Sequence, residues 1–175
     1  MRKWLLGAVV ALVLPAAAAA HANTPSPTDL AVAACKTEKS EMGTKQFKLT
    51  YGAVKSMAKA KKACLAKSGV VAETELKNAA QECKAEREAG AEAFNEQYGT
   101  NANKKNAFGK CVSGKAKEAT EEETEDRVSA ADTCKAMRTN DATGFKAAYG
   151  DKKNAFGKCV SATAKELGEA DETDA

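Results

Sequence analysis

The chain has 175 residues, with 27 Lys and Arg against 24 Asp and Glu, six Cys, one His and one Trp, and a formal charge of +3. That length suits one domain or several very small ones, and three Pro with 12 Gly exclude collagen-like and Pro-rich classes. Beyond the N-terminus no stretch is apolar for long enough to suggest a helical membrane span.

Met1-Arg2-Lys3 is a short positive region, Trp4 to Leu14 is an apolar run broken only by Gly7, and Ala20-His21-Ala22 is a small-residue cleavage signal. This order predicts a secretory signal peptide over 1–22, cleaved after Ala22, and a secreted, extracellular product. The alternative, an uncleaved anchor, is disfavoured by the shortness of the apolar run. The first Cys is Cys35, so lipid attachment at the cleavage point is not expected, and the acidic end 168–175 lacks the apolar tail of a lipid anchor. Cleavage leaves 153 residues, 25 basic against 24 acidic, and a net charge of +1. It also removes the only His and the only Trp. Ser-His-Asp and Cys-His catalysis, His-ligated zinc and imidazole proton transfer then all lack their central group.

After a linker at 23–29, three copies of one unit follow, at 30–69, 79–118 and 130–166. Cys83-Lys84-Ala85 recurs as Cys134-Lys135-Ala136, with Cys35-Lys36 a third match. Phe47/Tyr51/Gly52, Phe94/Tyr98/Gly99 and Phe145/Tyr149/Gly150 follow these, and the ten residues Lys104–Ser113 return unchanged at Lys152–Ser161. The first copy is degenerate, reading Lys59-Ala60-Lys61-Lys62-Ala63-Cys64 where the others carry a Phe three residues before the Cys. Six cysteines allow fifteen connectivities. Each copy holds an early and a late Cys, so pairing Cys35–Cys64, Cys83–Cys111 and Cys134–Cys159 respects the repeat, and export would supply the oxidising compartment.

The part after Ala22 contains 30 Ala, no Ile and Pro only at 25 and 27, which predicts an all-α fold. Cys83, Arg87, Gly90, Phe94 and Tyr98 recur with the period of one helical face. A single straight helix from Cys83 to Gly99 would be about 24 Å long, and an antiparallel return from Asn103 to Cys111 only about 12 Å, leaving the sulfurs out of reach. The chain must bend, and Gly43-Thr44, Gly90 and the stretch Thr139–Gly144 sit at matching places. Each unit is therefore expected to hold about three short helices: one with the early Cys, one with Phe-x-x-x-Tyr ending at Gly, and one capped by Asn103 or Asp151. Val71–Glu88 and Lys115–Arg138 contain no helix breaker, so neighbouring units could share helices in a coiled-coil-like array. The acidic stretch 119–129, net −4, is either such a shared helix or a flexible linker, and 167–175 is an acidic tail, also net −4.

Only 23 Leu, Val, Phe, Tyr and Met residues serve the 153. Each unit is too poor in apolar surface to fold on burial alone, so the disulfides are expected to carry much of the stability. No C-x-x-C, compact ligand cluster, nucleophile elbow, phosphate loop or ordered calcium loop occurs, so no cofactor, metal or catalytic residue is expected. The Asn- and Lys-rich NKKNAFGKCVS segments read as caps and solvated lysines around a packed Phe, with a recognition loop as the alternative; the tyrosines read as core aromatics. Residues 30–69 carry nine Lys against two Glu, a net +7. Lys55, Lys59, Lys61 and Lys62 are the candidate anionic-surface residues there, with a solvated lysine face as the bland reading.

The pattern C-K-A-x-R … F-x-x-x-Y-G … N-K-x-N-A-F-G-K-C-V-S resembles repeats in short, uncharacterised exported proteins of actinobacteria, closely over 79–118 and 130–166 and only at scattered positions in 30–69. The resemblance implies export and tandem disulfide hairpins, and no activity. The expectation is a secreted, non-enzymatic helical repeat protein with a structural or binding role. The partner classes it suggests are a cell-envelope polyanion or another exported protein. A sharper alternative is an electrostatic binder of anionic polymers through 30–69, and a more remote one a small enzyme that works without histidine.

Overall fold

The computed structural model describes residues 24–171; the expected signal peptide and residues 172–175 of the acidic tail lie outside them. Among the described residues six helices follow one another: α1 Pro27–Thr50, α2 Met57–Ala89, α3 Ala91–Tyr98, α4 Ala107–Asn140, α5 Ala142–Tyr149 and α6 Ala155–Asp171. No strand occurs among the described residues.

α1 opens on a reciprocal cap. Ser26 Oγ accepts from Asp29 N at 3.1 Å while Asp29 accepts from Ser26 N at 3.1 Å, satisfying two otherwise free helix-end donors. The expected bends all occur. In unit one the bend falls at Gly43, whose φ of 72° and ψ of 164° lie in a region that a side chain strongly disfavours. In the second and third units the chain breaks at Gly90 and Asp141, and Asp141 caps the next helix by accepting from Gly144 N at 2.8 Å. After each bend the Phe and Tyr one turn apart stack, with ring centroids 4.9, 4.9 and 5.1 Å apart.

The third helix of one unit and the first of the next are continuous, so α2 and α4 run for 33 and 34 residues as helices shared between neighbouring units, as the breaker-free stretches Val71–Glu88 and Lys115–Arg138 allow. The stretch 119–129 is helix, because its like charges do not all face one another. Lys117–Glu121 at 3.4 Å and Arg127–Glu123 at 3.1 Å form i,i+4 pairs, and Thr120, Thr124 and Arg127 turn inward. The two buried hydroxyls donate to carbonyls four residues back, at 2.7 and 2.8 Å, so neither is left unpaired.

One expectation needs correction, that of the caps. α4 and α6 begin at Ala107 and Ala155, four residues after Asn103 and Asp151. Before α4, Lys104 takes a φ of 54°, which interrupts helical geometry. The Asn106 carboxamide instead ties down the preceding loop, accepting from Thr100 N at 3.1 Å and donating to Thr100 Oγ1 at 2.6 Å.

All three within-unit disulfides form: Cys35–Cys64 joins α1 to α2, Cys83–Cys111 joins α2 to α4, and Cys134–Cys159 joins α4 to α6. Their Cα atoms lie 5.9–6.0 Å apart, in the ordinary range. Each staple sits in its own small apolar cluster. The clusters are not independent, since α1 adds Leu30 to that of unit two and Met42 and Leu49 to that of unit three. The first helix is thereby the common support of all three units.

The two identical ten-residue segments are used differently. A Cβ placed on Gly157 would stand 2.3 Å from the Thr50 carbonyl oxygen, so a glycine there lets the start of α6 approach the end of α1. At the matching Gly109 the nearest atom would be Thr24 Oγ1 at 3.5 Å, an ordinary contact. Gly157→Ala should lower unfolding free energy by about 1–3 kcal/mol through overpacking. Gly109→Ala should leave it unchanged or raise it by about 0.5–1 kcal/mol, since Ala is the better residue inside a helix. Urea titration of the two variants checks this, and equal effects would remove the asymmetry.

Candidate functional site

The position three residues after the early Cys is Glu38 in unit one, Glu86 in unit two and Met137 in unit three. In the first two units that carboxylate accepts from the tyrosine of the following short helix: Tyr51 donates to Glu38, and Tyr98 donates to Glu86 at 2.9 Å. The cation that balances the pair depends on the residue four after the late Cys, which is Ser68, Lys115 and Thr163 in the three copies. In unit two Lys115 supplies it directly, 2.9 Å from Glu86 and 3.0 Å from Glu82. The hydrogen bond from Lys115, with that from Tyr98, holds the Glu86 carboxyl below its ordinary range. In unit three Thr163 has no charge to offer, and the partner carboxylate is absent as well.

Unit one solves the same problem from outside itself. Ser68 is small and stands beside its own disulfide, 3.7 Å from Cys35 Sγ and 3.8 Å from Cys64 Sγ. The space admits Arg127 from α4. Its Nη1 donates to Glu38 Oε1 at 2.6 Å and lies 3.4 Å from both Tyr51 Oη and Ser68 Oγ, while Nη2 donates to Glu123 at 3.1 Å. The side chains of Arg127 and Glu38 are 3% and 0% exposed, so this pair is sealed from water. Burial, reinforced by the Glu38 carboxylate, pushes the Tyr51 phenol well above the ordinary tyrosine range. The Tyr51 hydroxyl therefore serves as a hydrogen-bond donor and structural tie. Sequence reading missed this cluster because Glu38 and Arg127 stand 89 positions apart, and Arg127 was hidden by its acidic neighbours.

A second repeated pairing is missing from unit one. Arg87, four residues after Cys83, lies 4.9 Å from the centre of the Phe108 ring, and Arg138 lies 4.9 Å from that of Phe156. At the matching places unit one has Lys39 and Lys61. Both members are replaced together. Between them is an open groove of about 470 Å³ with Val32, Cys35 and Leu65 in its lining and Lys36, Lys39 and Lys61 around it.

Of the four candidate lysines, Lys55 lies in the turn before α2, and Lys59, Lys61 and Lys62 in its first two turns. All four are exposed, but only Lys61 lines the groove, where it meets Lys36 and Lys39 of α1. Sequence reading did not single out those two; their offsets from Cys35, compared with Arg87 and Phe108 in unit two, were the available signal. The six cysteines are all committed to disulfides, and no group of His, Cys, Asp or Glu among the described residues is arranged to hold a metal ion. No described helix is long and apolar enough to cross a membrane.

Removing one partner of the sealed pair leaves a buried charge uncompensated. Arg127→Ala should cost about 3–5 kcal/mol of stability, and the double replacement Glu38→Leu with Arg127→Met should recover most of that. Lys77→Ala, at the exposed Lys77–Glu73 pair, should cost less than about 0.5 kcal/mol. Denaturant titrations of the set measure all three; an Arg127→Ala loss no larger than that of Lys77→Ala would contradict the structural role given to the cluster.

Neither a protein-family model, nor a curated protein, nor a solved structure matches the chain significantly.

Proposed function

We propose that the chain is an exported, non-enzymatic binding module that attaches to anionic polymers of the cell envelope through the lysines of its first unit. The observation that carries the reading is the density of unpaired lysines in unit one: none of the nine in residues 30–69 forms an ion pair with a described residue, and only two Glu accompany them. Later lysines without such a pair, among them Lys105, Lys110, Lys135, Lys152 and Lys153, are spread among more acidic residues. Lys55, Lys59, Lys61 and Lys62 form no salt bridge with a described residue, and three of them crowd the start of α2, whose first turn contains no acidic residue. A helix start already bears partial positive charge, so cations placed there oppose folding by a few tenths of a kcal/mol each. That cost turns into a gain when an anion arrives, because the charge and the free amides then act together.

Export is supported by the signal-like sequence over 1–22 and by three disulfides, which fit an oxidising compartment. A non-catalytic role is supported by the absence of histidine after Ala22 and by the structural duties of the buried polar groups in unit one. Charge alone discriminates poorly among polymers, so binding should depend on charge density and salt more than on monomer identity.

The test is retention on immobilised polyphosphate under a rising NaCl gradient. The native chain should be held at low salt and released as screening sets in. The quadruple variant Lys55→Gln, Lys59→Gln, Lys61→Gln, Lys62→Gln should leave the column at clearly lower salt, whereas Lys152→Gln with Lys153→Gln in unit three should not. Equal elution of native chain and quadruple variant would reject the reading.

A further inference from the structure

We infer that the groove of unit one is a docking site for an acidic peptide segment of a partner protein that inserts an aromatic side chain beside Cys35. The inference goes beyond the polymer reading, with which it shares only Lys61 and the positive charge of the unit. Units two and three show what the site holds when it is filled from within: a phenyl ring, Phe108 or Phe156, lying under a guanidinium. Unit one keeps the cysteine and the cationic side chain above the place but has exchanged the ring for Lys61, leaving the groove open.

The apolar floor is correspondingly bare. Leu65 follows the late Cys and is 39% exposed, while Val112 and Val160 at the same position in the other units are buried. Val32, facing the same groove, is 50% exposed. Exposed apolar side chains next to one another mark a contact surface more often than scattered ones do. The rim selects the charge of the occupant. Lys36 and Lys39 on α1 and Lys61 on α2 line the groove without a salt bridge to any described carboxylate. Three ammonium groups from two helices cannot be balanced by one carboxylate while a ring occupies the floor. A short run of Asp and Glu on both sides of a Phe or Tyr balances them, and each ammonium near the ring face adds a cation–π attraction.

The experiment uses the disulfide-bonded native chain and a fluorescein-labelled, terminally blocked Glu-Asp-Phe-Glu-Asp peptide, with binding read by anisotropy at low salt. A second peptide has Ala in place of Phe, and unlabelled phenylacetate serves as a competitor. The Phe peptide should bind about tenfold more tightly than the Ala peptide, as expected for partial burial of one ring. Phenylacetate should compete only at far higher concentration. Lys61→Phe refills the groove from within and should abolish the difference between the peptides. Leu65→Asp, at an already exposed position, should do the same by a different route. Polyphosphate retention of Lys61→Phe should match that of Lys61→Gln, since both lose one charge. Equal binding of the two peptides to the native chain would overturn the docking inference and leave polyanion binding standing. A preference for Phe that survives in both variants would also overturn it. A Phe preference without polyphosphate retention would reject the polyanion reading and keep the groove.

Discussion

Each unit is closed by a disulfide that joins the helix before a bend to the helix that follows the short Phe-x-x-x-Tyr segment, and the rest of the structure depends on that closure. The closed segments are 29, 28 and 25 residues in sequence separation. In the chain-entropy account, closing such a loop removes about 3–4 kcal/mol of unfolded-state freedom. Three such terms are comparable to the whole net stability of a typical domain. The apolar clusters around them are small, and several of their members are alanines. With so few large side chains, the bent segment between the two cysteines of a unit is held chiefly because the sulfurs fix the helices at its two ends. Shared helices then follow: a helix stapled at each end to a different neighbour has no reason to break between staples, and α2 and α4 do not.

Staples fix each unit internally, but α1 and Arg127 fix the units to one another. Leu30, Met42 and Leu49 of α1 enter the clusters of the other two units, and Arg127 of α4 reaches the Glu38–Tyr51 pair inside unit one. Burying that guanidinium is costly unless its charge is matched, and Glu38 with Glu123 matches it. The repeats vary in coordinated pairs as a result. Where the carboxylate becomes Met137, the nearby cation is gone; where the ring becomes Lys61, the arginine has become Lys39. The first exchange leaves a packed unit three, whereas the second leaves unit one with an open, cationic groove.

Much of this was legible before the structure. Disulfide partners followed from one early and one late Cys per copy, and the bends followed from a length mismatch between two arms that must meet at a sulfur. Helix starts were misplaced because Asn103 and Asp151 are good caps in isolation, while a positive φ at Lys104 and the loop bonds of Asn106 delay α4. The acidic stretch was ambiguous because counting charges does not say which residues turn inward; Thr120, Thr124 and Arg127 decide it. The Glu38–Arg127 contact had no local signature at all, since it joins the first copy to the stretch between the second and third, which are neighbours only after the array has formed. Of the four candidate lysines, three are exposed outside the groove and one, Lys61, lines it, as the internal comparison of repeats could have revealed.

The stapled-array account stands or falls on what the disulfides contribute. Far-UV circular dichroism of the chain at about 37 °C, before and after excess dithiothreitol, measures it directly, in the temperature range where loss of native disulfides commonly abolishes folding of small secreted domains. The account predicts that the helical signal collapses on reduction and returns on reoxidation with the Cys35–Cys64, Cys83–Cys111 and Cys134–Cys159 pairing. A fully reduced chain that keeps its helical signal would contradict it, and would place the stability in the helices themselves.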